Sequence, residues 1–404
     1  MKYKQIKYDV VIIGAGIVGL AVGYQLLQKH PGIRLAVVEK EDRVAAHQSS
    51  HNSGVIHSGI YYQPGSLRAV NCRRGYDLLL NFCEENEIQH NICGKLILAK
   101  DDEQSHRLEG IYQNGLENGL IGLKFINQEE ISEIEPHAKG IRAIHVPESG
   151  VVDFMDVADK LATIIQNSGE IITSYEVSKI DHSDRQIHIH SEDNSISSKL
   201  MISCGGLFAD RIARLSGVEP GVGIIPFRGE YYELTENGQK KVNHLIYPVP
   251  NPAFPFLGVH LTRMMNGTVE AGPNAVLALK REGYKKTDVN PSDLGHMLNY
   301  KGFRKMAKKH WRFGLDEYHR SFSKSAFLSS LQQLVPAISD EDIIKGRTGV
   351  RAMACAPTGE LSDDYIIKES ERMIHVLNAP SPAATSCLSI GEYISEIASK
   401  KIVA

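Results

Sequence analysis

The sequence predicts an α/β fold in which a Rossmann-type dinucleotide-binding unit is interleaved along the chain with a β-rich segment that also carries helices. Three observations predict it. Tyr8-Asp9-Val10-Val11-Ile12-Ile13-Gly14-Ala15-Gly16-Ile17-Val18-Gly19 joins a short apolar run to a Gly-x-Gly-x-x-Gly turn, and Glu39 follows at the spacing of an acid that meets a ribose. A last apolar strand over residues 373–376 turns into a terminal helix at the other end of the chain. Between them, residues 223–274 are patterned as strands.

Each element follows in order. Gly14 makes the tight turn, Gly16 lets backbone approach a pyrophosphate, and Gly19 lets helix pack on strand. The helix N-terminus then offers free N–H groups and its dipole to the phosphates. Glu39 closes an apolar run over residues 33–38 and would accept hydrogen bonds from ribose hydroxyls. Residues 47–62 are rich in Ser, His, Asn and Gly and read as a polar stretch outside the core. Residues 67–86 show helical periodicity, with Leu78, Leu79, Phe82 and Cys83 on one face. A strand is expected over 95–99, an exposed charged helix over 101–119 and another helix over 156–167. Short alternating strands follow at 170–177, 186–191 and 198–203, the last ending in Gly205-Gly206 before a helix from Ala209. Strands return around 229–234 and 268–272, then helix over 298–334. Nicotinamide dehydrogenases usually keep their binding unit in one block. A strand-turn-helix that completes the pocket from the far end of the chain therefore favours a flavin.

Composition narrows the class further. At 404 residues the chain exceeds one ordinary core, so two domains are expected. A formal charge of −3 argues against nucleic acid as a partner. No run of about 18 apolar residues predicts a spanning helix, and glycines interrupt the apolar start in a way no signal peptide would. The six cysteines are scattered without a Cys-x-x-Cys pair. That spacing argues against a metal site or disulfide framework and for a reducing cytoplasm.

Longer blocks carry a resemblance. His51-Asn52-Ser53-Gly54-Val55-Ile56-His57-Ser58-Gly59-Ile60-Tyr61-Tyr62 resembles the isoalloxazine-lining segment of the D-amino-acid-oxidase-like FAD-dependent oxidoreductases. Within them, the chain is similar to the L-2-hydroxyglutarate dehydrogenase/oxidase family. The likeness continues through Gly94-Lys95-Leu96, Arg228-Gly229-Glu230-Tyr231-Tyr232 and Tyr247-Pro248-Val249-Pro250. It extends over Phe256-Leu257-Gly258-Val259-His260-Leu261-Thr262-Arg263, Gly272-Pro273-Asn274-Ala275, Gly349-Val350-Arg351 and Asn378-Ala379-Pro380-Ser381-Pro382-Ala383-Ala384-Thr385-Ser386. The resemblance implies an FAD domain packed on a substrate domain built on a mainly antiparallel β-sheet with helices. The division expected is 1–85, 145–215 and 340–404 against 86–144 and 216–339. The implied reaction is oxidation of L-2-hydroxyglutarate to 2-oxoglutarate, with the L-preference coming from the resemblance alone.

Removing a hydride from a 2-hydroxy acid requires a flavin N5 to take it, a base for the hydroxyl proton and cations for the carboxylates. His57 and His260 are the candidate bases, since an imidazole accepts a proton near neutrality. Arg263 and Arg351 are the candidate carboxylate clamps, with Arg228 a third whose alternative is an interdomain salt bridge. Tyr62 and Tyr247 are candidate donors to substrate, or aromatic packing. Ser49, Ser50, His51, Asn52 and Ser53 are expected along the pyrophosphate and ring edge. Lys40, Val177, Gly205 and Gly206 are assigned to the cofactor with them. Pro382, Ala383 and Ala384 are expected to begin a helix whose N-terminus stabilises the reduced flavin. A covalent link through His47 or His51 is the alternative to the non-covalent cofactor favoured here.

Lys301, Arg304, Lys305, Lys308, Lys309 and Arg312, with Trp311 beside them, form a basic stretch. It suits a peripheral contact with anionic lipid at the inner face of the membrane and delivery of electrons to a membrane quinone, with oxygen and a carrier flavoprotein as the other acceptors left open. Its alternative is a solvated helix face. Two other functions compete: an FAD-dependent amine oxidase acting on glycine or sarcosine, and a structural flavoprotein without turnover.

Overall fold

The computed structural model describes residues 6–183, 185–251 and 257–403. Strand Ile6–Ile13 lies between Leu35–Val38 and Ser195–Ser203, parallel to both. Met373–Asn378 adds in parallel beyond Ser195–Ser203, so the two ends of the chain meet in one sheet. Glu170–Ile172 extends the other side, while Lys179–His182, Ile187–His190 and Ile366–Glu369 complete the eight strands. Residues such as Val10, Ile12, Val37 and Ile202 are fully buried because helices cover the sheet. A parallel strand buried on both faces reads as an unbroken apolar run, and that is the pattern of residues 10–13 and 35–38. Helices Ile17–Lys29, Phe154–Gln166, Cys387–Val403 and Leu67–Glu85 pack around this core.

A second, nine-stranded sheet is mostly antiparallel and is dominated by the pairing of Gly223–Leu234 with Ile343–Cys355. Lys95–Ala99 lies in it, parallel to Leu245–Pro248 and antiparallel to Arg142–Val146. A small sheet of Val55–Ile56, Gly150–Val152 and His90–Asn91 completes the strands.

Several expectations are corrected. Ile343–Cys355, expected with the FAD-binding segment that starts at residue 340, pairs with Gly223–Leu234 in the second sheet. The polar stretch 47–62 does enter the core: Val55, Ile56, Ser58 and Ile60 are buried. The strand expected over 170–177 ends at Ile172, and the unforeseen strand Lys179–His182 pairs with Ile187–His190. The helix expected over 298–334 is broken into Pro291–Asn299, Lys301–Phe322, itself kinked at His310, and Lys324–Leu331. It breaks where Tyr300 and Ser323 take extended backbone, and the Ser323 hydroxyl caps the last helix by accepting from Ala326 N–H. The terminal helix begins at Cys387, preceded by a turn over residues 381–386 in which Pro382 supplies no N–H. Phe256 of the matched block lies outside the described residues.

Candidate active site

One cavity of about 1300 Å³ runs between the two sheets' loops, from Gly14, Gly16, Gly19 and Glu39 at one end to His57, His260 and Arg351 at the other. Ordinary ligand pockets span about 300–1,000 Å³, so this one has room for a dinucleotide and a small substrate together.

The glycine turn is shaped by close backbone approach. A Cβ on Gly19 would lie 2.0 Å from the Gly14 carbonyl oxygen, and one on Gly14 would lie 2.5 Å from Cys204 O. Gly14 also has a φ of +102°, where side chains are strained. Glu39 is oriented by Ala15 N–H (2.8 Å) and Glu41 N–H (3.1 Å), one on each carboxylate oxygen. Each oxygen retains acceptor capacity for a hydroxyl. Ser49 accepts from Ile17 N–H (2.8 Å) at the first helix's N-terminus. Lys40, Ser49, His51, Asn52, Ser53, Val177, Gly205, Gly206, Pro382, Ala383 and Ala384 all line the cavity. Ser50 does not: it donates to His47 O and turns toward a separate cleft beside Met264 and Arg347. These small side chains, a ribose-type acceptor and an open helix N-terminus fit an adenine dinucleotide such as FAD.

At the other end, His57 and His260 share the wall with Tyr61, Tyr62, Tyr231, Tyr247, Arg68 and Arg351. Burial pushes both imidazoles down to about 3, with neighbouring positive charge adding to the effect. Both are therefore neutral at physiological pH. The Nδ1–H of His260 donates to Gly258 O (2.9 Å), which leaves Nε2 as the acceptor nitrogen. The His260 ring stacks on Tyr247 at 4.1 Å between centroids, and the Tyr247 hydroxyl is held by Thr262. His57 is fixed through its backbone N–H, which donates to Thr385 Oγ1 (3.1 Å). Thr385 in turn donates to Val55 O, so the C-terminal turn is latched to the segment carrying His57.

Two expected clamps are absent from this wall. Arg263 lies three residues after His260, and odd spacing on a strand sends side chains to opposite faces. Its guanidinium instead donates to the carbonyls of Asn243, Gly267, Gln239 and Val242. Arg228 is buried, paired at 3.0 Å with Glu230 of its own strand and donating to Lys285 O, a pairing within the second sheet and not the interdomain salt bridge expected as its alternative. Arg351 stands on the cavity, in the strand that pairs with Gly223–Leu234.

Sequence reasoning missed Arg68, Tyr61 and Tyr231. Arg68 opens helix Leu67–Glu85, where periodicity read only a helix. Its guanidinium lies 4.3 Å over the Tyr62 ring, and its Nε donates to Ser381 O (2.6 Å). Tyr61 and Tyr231 stood inside matched blocks beside residues already chosen. At the cofactor end, His47 Nε2 meets Glu41 and Glu282, both at 2.9 Å, and its Nδ1 meets the Tyr284 hydroxyl at 3.0 Å. Lys40 Nζ sits in the same cluster, 2.8 Å from Glu282, and supplies the cation among these acids.

Comparison with known proteins supplies the remaining evidence. Residues 9–397 match the family described as DAO, FAD dependent oxidoreductase. A protein of Indibacter alkaliphilus named L-2-hydroxyglutarate dehydrogenase is 50% identical over 396 residues, covering 98% of this chain and 99% of its own. A protein of Escherichia coli K12 with the same name is 45% identical over 389 residues, covering 96% and 92%. Among solved structures, dithionite-reduced L-alpha-glycerophosphate oxidase from Mycoplasma pneumoniae with FAD bound superposes with a TM-score of 0.80 at 22% identity, covering 99% and 96%.

Proposed function

The chain belongs to the family of FAD dependent oxidoreductases, and within it we propose that it oxidises L-2-hydroxyglutarate to 2-oxoglutarate. The observation that carries this reading is the single cavity joining a dinucleotide cradle to a pair of neutral histidines and the arginines Arg68 and Arg351. When bound, FAD supplies the acceptor for the hydride that leaves the substrate α-carbon. The chain's own residues do the rest. His260 takes the hydroxyl proton on Nε2, because Gly258 O keeps the other nitrogen protonated. His57 stands in the same wall and completes its polar surface. Arg351 clamps one carboxylate through parallel N–H bonds, and Arg68 meets the second. Two arginines at the substrate end of the cavity favour a dicarboxylate over the glycine or sarcosine of an amine oxidase, and the relatives' names agree.

The cofactor is read as non-covalent, since both His47 nitrogens are engaged by acids and a tyrosine. For the electrons, a membrane quinone is favoured over oxygen. Helix Lys301–Phe322 exposes Lys301, Arg304, Lys305, Lys308, Lys309 and Arg312 together with Trp311, Leu315 and Phe322, a pattern suited to anionic lipid. Among the described residues no helix is long and apolar enough to cross a membrane, so such contact would be peripheral. The six free thiols suit the cytoplasmic side.

Anaerobic mixing with L-2-hydroxyglutarate, watching the oxidised flavin absorbance, tests the reaction. Bleaching by this substrate, and by neither D-2-hydroxyglutarate nor sarcosine, is expected; bleaching by sarcosine alone would overturn the reading. Sedimentation with phosphatidylglycerol vesicles, but not phosphatidylcholine ones, tests the lipid contact. Lys308→Glu with Arg312→Glu should abolish it.

A further inference from the structure

Lys95 begins a strand whose five residues are all buried, and is itself only 1% exposed. Its Nζ makes no hydrogen bond among the described residues, and neither does the buried hydroxyl of Tyr61. The amine lies 4.9 Å from the Tyr61 ring centroid and 5.0 Å from that of Tyr247. Both rings line the substrate end of the cavity, and Tyr247 carries His260 stacked upon it. The ammonium therefore stands behind the wall of the site, touching it through two aromatic faces. A buried cation without an anion is costly, and among the described residues it meets aromatic faces but no carboxylate partner.

We propose that Lys95 is a positioning residue whose buried ammonium is the standing counter-charge for an anionic substrate, holding Tyr61 and Tyr247 as the wall through which that charge is felt. The inference rests on the dicarboxylate reading above. Titratable and charged groups converge on this point from each neighbouring element. Cys72 and Arg68 come from helix Leu67–Glu85, His57 from the latched segment, His260 from its strand and Arg351 from strand Ile343–Cys355. Tyr62 and Tyr231 stay neutral, burial raising their hydroxyls. Burial pushes the Lys95 amine down to about 8, opposed by Cys72, so it is charged at neutral pH and loses its charge in mild alkali. Its positive charge also helps keep His57 and His260 neutral before substrate arrives.

The test is KM for L-2-hydroxyglutarate over pH 6–10 in the FAD-loaded wild type, Lys95→Met and Lys95→Arg, with Tm of each in the absence of substrate. Wild-type KM should be flat to about pH 8 and then rise roughly tenfold. Lys95→Met should show the raised KM already at pH 7, with no alkaline rise. Lys95→Arg should keep the low KM through pH 10. Removing an unpaired buried charge should also lift the Tm of Lys95→Met by roughly 2–5 °C, whereas loss of a merely structural lysine lowers it. An alkaline rise that persists in Lys95→Met, or a wild-type KM at pH 7 in that variant, overturns the inference. If Lys95→Met fails to retain FAD, Lys95→Gln and the comparison of wild type with Lys95→Arg decide it. A wild type that L-2-hydroxyglutarate cannot reduce would instead overturn the dicarboxylate reading itself.

Discussion

Two histidines face one cavity, but they are held by different hydrogen bonds. His260 has a fixed tautomer, with Nδ1–H on Gly258 O, whereas His57 is anchored through its backbone to Thr385. His260→Ala should therefore lower the rate of anaerobic flavin reduction by about 10²–10⁴-fold, the range for a lost general base. His57→Gln should cost less. Stopped-flow reduction at saturating substrate measures both, and an unimpaired His260→Ala would move the base to His57. Placement in the blocks that carry the resemblance made both histidines legible as candidates. It could not rank them, because the discriminating partner is a carbonyl positioned by the turn around Gly258.

At the scale of the element, strand parity separates Arg263 from the cavity wall that carries His260. Arg263 sits one odd step from His260 and turns away, gathering four carbonyls at the ends of neighbouring segments. Arg263→Ala should lower stability by about 2–4 kcal/mol in urea unfolding, since charged donors leave several carbonyls unsatisfied. Its KM should be unchanged; a large rise would restore Arg263 to the substrate site. The same logic governs the close pass of Ile343–Cys355. A Cβ at Gly349 would lie 2.3 Å from His51 O, so that strand reaches the cofactor segment only as glycine. The resemblance flagged both stretches, and the strand pattern was legible for residues 223–274 but not for 343–355. Which face met the cavity was not, because that depends on the twist and partners of a nine-stranded sheet.

Across the whole molecule, titration should shape stability on both sides of neutrality. Burial holds His57 and His260 at about 3 and His375 at about 4. The unfolded chain takes up protons from about pH 6.5 that the folded one refuses, so stability should fall steadily as pH drops from 6.5 toward 4. His47 acts in the opposite sense. Burial alone would lower its pKa, but Glu282 and Glu41 outweigh that and raise it above 6.5. Its contribution is complete below pH 6.5 and is lost as pH rises through the raised value. Thermal scans of wild type and His47→Gln should therefore diverge below about pH 6.5 and converge in alkali; divergence that grows with pH would refute the assignment. This clamp joins Lys40, Glu41 and His47 to Glu282 and Tyr284, more than two hundred residues away along the chain. Sequence by itself determined the glycine cradle, Glu39, the parallel apolar strands and most helices. Those depend on local spacing, period and backbone sterics, which a one-dimensional pattern records. Tertiary structure alone decided that Arg228 and Arg263 bond within the second sheet and its loops, that Arg68 lines the same cavity as Arg351, and that Lys95, without a hydrogen-bond partner among the described residues, stands behind the wall. Those outcomes depend on which distant segments pack together, and in a chain whose two ends share one sheet, that information lies in no single stretch of sequence.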